Sequence, residues 1–251
     1  MTEALLETRG LSKQFGGLAA VSDVSLAFEA GRVHAVIGPN GAGKTTFLNL
    51  LSGEMRPSAG AVLFKGHAIT GLTPDRVARL GIGRSFQRTN VFAELTCFEN
   101  CWIAAQSRLP NSLRFFRPAS RRGDIAAAAL RSLEMCGLLA RRDHAASAMS
   151  HGERRQLEIA MILATEPDLL LFDEPLAGMG YRESQEVIAL LRRIAEKHTL
   201  VLIEHDMDAV FSIADRITVL VNGAVLETGS VAEIQRSRAV QAAYLGAEDQ
   251  P

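Results

Sequence analysis

The stretch Gly38-Pro39-Asn40-Gly41-Ala42-Gly43-Lys44-Thr45 decides the fold of this chain, because it carries the pattern G-x-x-x-x-G-K-[ST]. An apolar run, residues 33–37, precedes it, and Thr46-Phe47-Leu48-Asn49-Leu50-Leu51, which has helical character, follows it. The order is therefore strand, glycine-rich loop and helix. This order is typical of a sheet whose loop binds phosphate groups at the start of a helix.

The residue types of this loop suit the phosphates of a nucleoside triphosphate. Glycines let backbone N–H groups turn inward around phosphate oxygens, and the following helix directs its positive end to the same place. The Lys44 ammonium would contact the β- and γ-phosphates, and the Thr45 hydroxyl would bind Mg²⁺. The residues that we expect to contact the nucleotide here are Gly38, Pro39, Asn40, Gly41, Ala42, Gly43, Lys44, Thr45 and Thr46.

The composition is that of a globular chain with no membrane-spanning or secretion segment. Of the 251 residues, 47% are hydrophobic, and the formal net charge of -1 gives no support for a surface that coats nucleic acid. No run of about 18 apolar residues occurs. The start, Met1-Thr2-Glu3-Ala4, lacks the basic-then-apolar layout of a signal peptide. We therefore expect a soluble intracellular protein that does not bind nucleic acid.

The three cysteines form no recognisable metal site. Cys97 and Cys101 lie four residues apart, on one face if a helix covers them, but no His or Cys pair completes a zinc set. We expect buried or idle thiols in a reducing cytosol.

Strand patterns dominate both ends of the chain. Residues 5–35 alternate short apolar segments with turns, which predicts an antiparallel β-region beside the nucleotide core. Near the other end, residues 217–221 and 224–227 are joined by Asn222-Gly223, a pair typical of a tight hairpin.

Two wholly apolar runs predict strands that are buried on both faces. Residues 169–172 precede Asp173-Glu174, and residues 200–203 precede Glu204-His205-Asp206. A stretch of helical periodicity, residues 184–197, lies between the two runs. The pattern predicts a right-handed βαβ unit in a parallel sheet that helices cover.

Between about residues 90 and 147 the strand patterns vanish, and residues 99–106 and 124–137 indicate helices. The segment Arg114-Phe115-Phe116-Arg117 lies between them. Two exposed Phe residues flanked by Arg would contact a membrane surface or a protein partner. A helix cap with solvated arginines is an equally good interpretation.

Polar residues follow several predicted strands, where open α/β sheets place their ligands. Asp173 is placed to hold Mg²⁺, directly or through water. Glu174 is then the candidate general base for attack of water on the γ-phosphorus. His205 would hydrogen-bond the γ-phosphate and orient the water, although a structural histidine is the simpler alternative. Gln87 follows a short strand and would reach the metal or the water.

The stretch Met149-Ser150-His151-Gly152-Glu153 opens an amphipathic helix. Ser150 would serve as the cap of that helix. Alternatively the helix start is a second anion site, which uses the same backbone N–H groups and dipole as the first. Two such helix starts on one small protein suggest that two copies hold the nucleotide between them.

An aromatic residue, Phe15, stands in a polar stretch bounded by glycines. It is either a core aromatic or a platform that stacks on a purine ring. Periodicity alone favours the core.

Taken together, these motifs resemble those of the ATP-binding-cassette (ABC) ATPases over essentially the whole chain. Residues 38–45 match the Walker A motif, and residues 169–173 match Walker B, with Glu174 as the catalytic glutamate. The resemblance makes Gln87 the Q-loop glutamine, His205 the switch histidine and Phe15 the aromatic that stacks on adenine.

The signature motif L-S-G-G-Q of that family is matched imperfectly, with Met149, His151 and Glu153 replacing the usual residues. Ser150 and Gly152, which in the family contact the γ-phosphate of ATP on the opposite protomer, are kept. We include Glu153 among the nucleotide-binding residues. Gly180 stands where the family carries the D-loop aspartate, which puts in doubt the usual contact across the dimer.

Several stretches are similar to one branch of the family, the ATPase subunits of branched-chain amino acid importers. Among them are Leu157-Glu158-Ile159-Ala160 after the signature, residues 173–180 and Ala243-Tyr244-Leu245-Gly246. Related systems for amide or urea import and for lipopolysaccharide export have similar motifs. The phosphate loop is also compatible with a soluble cassette of translation or DNA repair, and with a small-molecule kinase.

The resemblance implies a complete set of partners. ATP and Mg²⁺ would bind between two ATPase subunits, equal or different, and closure of this dimer would drive separate membrane permeases. A periplasmic or extracellular solute-binding protein would act indirectly. The chain would lie at the cytoplasmic face of the inner membrane as a peripheral subunit.

The implied fold class is α/β: a P-loop ABC ATPase domain whose mixed sheet carries an antiparallel β-subdomain and an inserted helical subdomain. The whole chain, residues 1–251, would form this one domain. Residues 1–87 and 165–246 would form the catalytic core with the β-subdomain. Residues 88–164 would form the helical subdomain with the signature motif, and residues 247–251 a tail.

Overall fold

The computed structural model describes residues 4–85, 90–108 and 123–248. These residues form two β-sheets that are surrounded by helices. The strands are β1 (Ala4–Phe15), β2 (Leu18–Glu29), β3 (Val33–Ile37), β4 (Ala59–Phe64), β5 (His67–Ala68), β6 (Ile82–Arg84), β7 (Leu169–Asp173), β8 (Thr199–Ile203), β9 (Arg216–Val221) and β10 (Ala224–Gly229). The helices are α1 (Lys44–Leu51), α2 (Pro74–Arg79), α3 (Cys97–Ser107), α4 (Gly123–Met135), α5 (His151–Ala164), α6 (Tyr181–Ala195), α7 (Met207–Ile213), α8 (Val231–Arg236) and α9 (Arg238–Glu248).

The larger sheet has the strand order β10-β9-β3-β8-β7-β6. All neighbours are parallel except β9 and β10, so the sheet is mixed. Every residue of β3, β7 and β8 is buried, as the wholly apolar runs predict. Parallel strands bring their carboxyl ends to one edge, which places the segments after Ile37, Asp173 and Ile203 side by side.

The smaller sheet confirms the predicted antiparallel β-region. Its order is β2-β1-β4-β5, with β1 paired antiparallel to both β2 and β4. The predicted hairpin is β9–β10, where Asn222 and Gly223 have φ of 49° and 79°, the positive values that a type I′ turn requires. Ser22 N–H donates to Gly223 O at 2.8 Å, which joins this turn to β2.

The predicted helices are present, but α3 and α6 begin two and three residues earlier than periodicity indicates. The α3 helix begins at Cys97 because Thr96 and Glu99 form a capping box. The α6 helix begins at Tyr181 rather than residue 184, because the Glu183 side chain accepts from Gly180 N–H. Apolar periodicity starts only where a helix meets the core, whereas its first turn is set by capping.

The described helices of the 90–164 region share their core with the larger sheet. One buried cluster contains residues of α3 and α4, such as Cys101 and Leu133, together with Leu170 and Phe172 of β7. The division into a core and a helical subdomain stays a prediction. At the end of the chain α9 reaches Glu248, so residues 247 and 248 belong to a helix rather than to the predicted tail.

Within the described ranges, no helix has both the length and the apolar character needed to cross a bilayer. The segment Arg114-Phe115-Phe116-Arg117 lies outside the described residues.

All three cysteines are buried free thiols, as predicted. Burial raises the pKa of Cys101 to about 12 and raises the pKa values of Cys97 and Cys136. The described residues contain no group of three or more His, Cys, Asp or Glu side chains suited to a metal ion.

We expect iodoacetamide at pH 8 to modify the folded protein slowly, because the thiolate is the reactive form and all three thiols are inaccessible. Mass spectrometry should find three modified cysteines only after denaturation. Rapid modification of any of them in the folded protein would contradict their burial.

Candidate functional site

The loop between β3 and α1 can be built only with glycine at two positions. A Cβ atom on Gly38 would lie 2.1 Å from Leu220 O, and one on Gly43 would lie 2.1 Å from Ala20 O. Gly43 is also the N-cap of α1 and has φ of 93°. The loop therefore packs tightly against β2 and β9, and it presents the first N–H groups of α1 to solvent.

The Asn40–Thr46 part of this loop lines an open pocket of ≈ 490 Å³. Glu174 and the hairpin residue Asn222 contribute to the same wall. Gly223 N–H donates to Ala42 O at 3.1 Å, so the β9–β10 turn supports the loop. The complete lining is Leu18, Ala19, Ala20, Asn40, Gly41, Ala42, Gly43, Lys44, Thr45, Thr46, Glu174 and Asn222.

The Lys44 ammonium group lies within the loop. Its Nζ donates to Gly38 O at 2.6 Å and to Pro39 O at 3.0 Å. Burial lowers the pKa of Lys44, and the negative charges of Glu174 and Asp173 oppose that change. The three charged groups therefore lie close enough to affect one another.

Asp173 ends β7 as a buried carboxylate whose Oδ1 atom has no hydrogen-bond partner. Its Oδ2 lies 3.7 Å from Nη2 of Arg84. Burial raises the pKa of Asp173, and the Arg84 charge opposes this effect. A buried carboxylate oxygen without a donor is a suitable ligand for a hard cation, so the residues fit the predicted metal.

Arg84 also connects the metal-binding candidate to the loop helix. Its guanidinium donates to Asn49 Oδ1 at 2.6 Å and to Ser52 Oγ at 2.5 Å, both on or just after α1. Sequence reasoning gave Arg84 no role. The available signal in the sequence is a basic residue within the predicted short strand, three residues before Gln87. Gln87 itself lies outside the described residues.

Glu174 has a positive φ of 47°, a conformation that residues other than glycine seldom adopt. Its N–H donates to Ile203 O at 2.9 Å, and its carbonyl accepts from Ala177 N–H at 3.1 Å. The backbone is therefore held in an uncommon conformation by neighbouring structure, as is frequent at functional sites. The side chain borders the pocket.

His205 has a side chain that is 67% exposed, at the same sheet edge. Its neighbour Glu204 is fully buried. The Glu204 carboxylate accepts hydrogen bonds from Leu176 N–H, after β7, and from His205 N–H, after β8. The sequence patterns gave Glu204 no role. A charged residue directly after a wholly apolar strand was the signal.

The signature segment confirms the capping interpretation of Ser150. Its Oγ accepts from Glu153 N–H at 3.2 Å, and its own N–H donates to a Glu153 carboxylate oxygen at 2.9 Å. Glu153 also forms an ion pair with Arg141 at 3.1 Å. A Cβ atom on Gly152 would lie 3.1 Å from Oε1 of Glu183, so a second carboxylate stands near this helix start.

The described part of the chain does not bring every candidate to the loop pocket. Ser150, Gly152, Glu153 and His205 are not among its lining residues. Phe15 is 47% exposed, so the core interpretation is wrong. It stands at the tip of the β1–β2 hairpin opposite Leu18, which does line the pocket.

Comparisons with known proteins identify the family of this chain. The sequence profile of the ABC transporter family matches residues 21–177. The high-affinity branched-chain amino acid transport ATP-binding protein LivG of Salmonella typhimurium is 39% identical, over 98% of this chain and 99% of that protein. BraF of Pseudomonas aeruginosa, described in the same words, is 39% identical with the same coverage.

Solved structures give the same result for the fold. An ATP-binding cassette of an ABC transporter in its ADP conformation has a TM-score of 0.87 at 28% identity, over 98% of this chain and 100% of the other. A nucleotide-free cassette has a TM-score of 0.84 at 28% identity, over 96% and 99% of the two chains. The chain therefore belongs to the ABC transporter family, as one of its ATP-binding cassettes.

Proposed function

We propose that this chain is the ATP-binding and ATP-hydrolysing subunit of an importer for branched-chain or related amino acids. The observation that carries the solute class is the 39% identity, over nearly the full length of both chains, to the LivG and BraF transport proteins. The pocket formed by the loop and Glu174 supports the ATPase activity. Urea import, lipopolysaccharide export and a soluble cassette are less well supported by these relatives.

In this proposal the loop holds the triphosphate and Glu174 assists the attack of water. Backbone N–H groups of residues 40–46 and the Lys44 ammonium bind the phosphates, and Lys44 leaves its contacts with Gly38 O and Pro39 O to do so. Glu174 accepts a proton from the attacking water, and His205 orients that water. Phe15 stacks on the adenine ring.

Mg²⁺ fits the oxygen atoms that the site offers. Thr45 and Asp173 would hold the ion together with Gln87. When bound, the ion neutralises part of the phosphate charge. The uncompensated Oδ1 atom of Asp173 is the structural support for this assignment.

A second ATPase subunit completes the site. The start of α5, with Ser150, Gly152 and Glu153, would face the γ-phosphate of ATP that the other subunit holds. This subunit is either a second copy or a related ATPase. ATP favours the closed pair only to the extent that it binds this state more tightly than the open one.

An apolar groove is the proposed docking site for a cytoplasmic helix of a permease. It has a volume of ≈ 360 Å³ and includes Ala78 of α2, Ala104 of α3 and Met161 of α5. Ser85 and Asn90 flank the segment that contains Gln87, and Asn90 lines the groove. The subunit would bind permeases at the cytoplasmic face of the inner membrane, and the permeases would receive the solute from a separate binding protein.

We expect Lys44→Ala to weaken ATP binding at least about tenfold, because it removes a charge-assisted contact with phosphate. Isothermal titration calorimetry measures the affinity. Lys65→Ala is the matched control, since Lys65 forms an ion pair with Asp168 at 2.7 Å and does not line the pocket. Equal affinities of the two variants would remove Lys44 from its role.

We expect Glu174→Gln to bind MgATP, to lose most of its hydrolysis and to accumulate as a dimer. The amide cannot accept the proton, so the ATP that holds the subunits together persists. Size-exclusion chromatography with light scattering gives the mass with and without MgATP. A variant that stays monomeric with MgATP would contradict pairing of this chain with itself.

We expect tagged Glu174→Gln protein, purified from detergent-solubilised membranes with MgATP, to retain polytopic permeases. Adding Ala78→Arg should release them, because it places a charge in the apolar groove. Ala232→Arg, an exposed change on α8, is the control and should retain them. Mass spectrometry that found ribosomes or DNA-binding proteins in place of permeases would support a soluble cassette instead.

A further inference from the structure

Glu204 is a buried carboxylate to which no role is assigned above. It lies at the sheet edge where β3, β7 and β8 end. It follows β8 directly, and its side chain is 0% exposed. The preceding residue, Ile203, is paired with Asp173 in the sheet. A buried charge is strongly unfavourable unless hydrogen bonds compensate it, so the partners of this carboxylate explain why it is tolerated.

The two carboxylate oxygens of Glu204 hold two different turns. Oε1 accepts from Leu176 N–H at 2.9 Å, two residues after Glu174. Oε2 accepts from His205 N–H at 3.0 Å and from Asp206 N–H at 3.5 Å. One side chain therefore joins the turn that carries Glu174 to the turn that carries His205.

Within the described residues, the Glu174 turn has few other attachments to this edge. Glu174 N–H donates to Ile203 O at 2.9 Å, and Arg155 of α5 donates to Pro175 O at 3.3 Å and Asp173 O at 3.4 Å. The hydrogen bond from Leu176 N–H to Glu204 joins the end of β8 to the part of the turn that follows the strained residue Glu174. Its loss would leave that end of the turn without its attachment to β8.

We propose that Glu204 is a positioning residue, which fixes the Glu174 turn relative to the His205 turn and so sets the geometry for attack of water on ATP. The inference rests on the roles proposed above for Glu174 and His205. Both oxygens must act as acceptors, which only a carboxylate allows. A glutamine side chain offers one acceptor oxygen and one NH₂ donor. Its NH₂ group would therefore face a backbone N–H group at one of the two turns, where no hydrogen bond can form.

We expect the negative charge of Glu204 to contribute little to the stability of the fold. Burial raises the pKa of Glu204, and the N–H groups of Leu176, His205 and Asp206 only partly oppose this. A neutral glutamine of similar shape removes the buried charge and keeps most of the packing. Glu204→Gln should therefore separate an effect on catalysis from an effect on folding.

The test compares steady-state ATP hydrolysis of Glu204→Gln with that of the wild type. We expect kcat to fall about tenfold or more, because small displacements of reacting groups have large effects on rate. The KM for MgATP should stay within about twofold, since the loop residues are unchanged, and this pattern indicates an interaction specific to the transition state. Glu227→Gln, which alters a half-buried carboxylate on β10 bonded to Ser237, is the control and should hydrolyse ATP normally.

Hydrogen-exchange mass spectrometry examines the same inference without relying on hydrolysis. Amides of residues 174–179 or 205–209 should exchange faster in Glu204→Gln than in the wild type, and those of β1 should not change. Glu204→Asp is the second variant, because it keeps the charge but is too short to reach both turns, and it should show the same loss of kcat.

Wild-type kcat and wild-type exchange in Glu204→Gln would overturn the inference. A parallel change in kcat, KM and melting temperature would also overturn it, because that pattern indicates general misfolding. If the wild type itself failed to hydrolyse ATP, the proposed function would be wrong, whereas the exchange of the Leu176 segment would still decide whether Glu204 joins the two turns.

Discussion

The parallel pairing of β7 with β8, in the register that sets Asp173 opposite Ile203, is the constraint on which the site depends. Both strands are buried on both faces, beneath the helices that cover the sheet. The register brings Glu174 N–H to Ile203 O and Leu176 N–H to Glu204. A shift by one residue would turn every side chain to the opposite face and would break both contacts.

The charged groups at this edge oppose the stability of the fold more than they support it. Burial raises the pKa of Asp173 and lowers the pKa values of Lys44 and Arg84, and in each case opposite charges nearby resist the change. Buried ion pairs seldom stabilise a protein relative to apolar residues of equal size. Their presence here is therefore best explained by the nucleotide and metal that we propose for this edge, and removal of one member leaves the others less compensated.

The sequence predicts those parts of the structure that depend on local residue types. Two apolar runs predict β7 and β8 because a strand buried on both faces needs apolar residues at every position. Glycines predict the loop because tight packing at Gly38 and Gly43 excludes a side chain. The Glu204 bonds and the link from Arg84 to α1 depend on residues far apart in sequence, which become neighbours only when the sheet has formed. Periodicity also favours the core for Phe15, because it cannot detect that the Phe15 end of the β1–β2 hairpin extends past β4, whose pairing with β1 ends at Ser12.

The same physics accounts for why ATP would join two subunits. In the single chain, donor groups of both proposed anion-binding sites already have partners within the protein: Lys44 bonds to Gly38 O and Pro39 O, and the start of α5 is capped by Ser150 and Glu153. Triphosphate must therefore replace existing contacts, so its binding energy at either site alone is a difference rather than a sum. A phosphate that contacts the loop of one subunit and the α5 start of another would form favourable contacts at both places at once. In the proposed dimer, closure would then depend on the terminal phosphate, and its removal by hydrolysis would return each subunit to its own internal contacts.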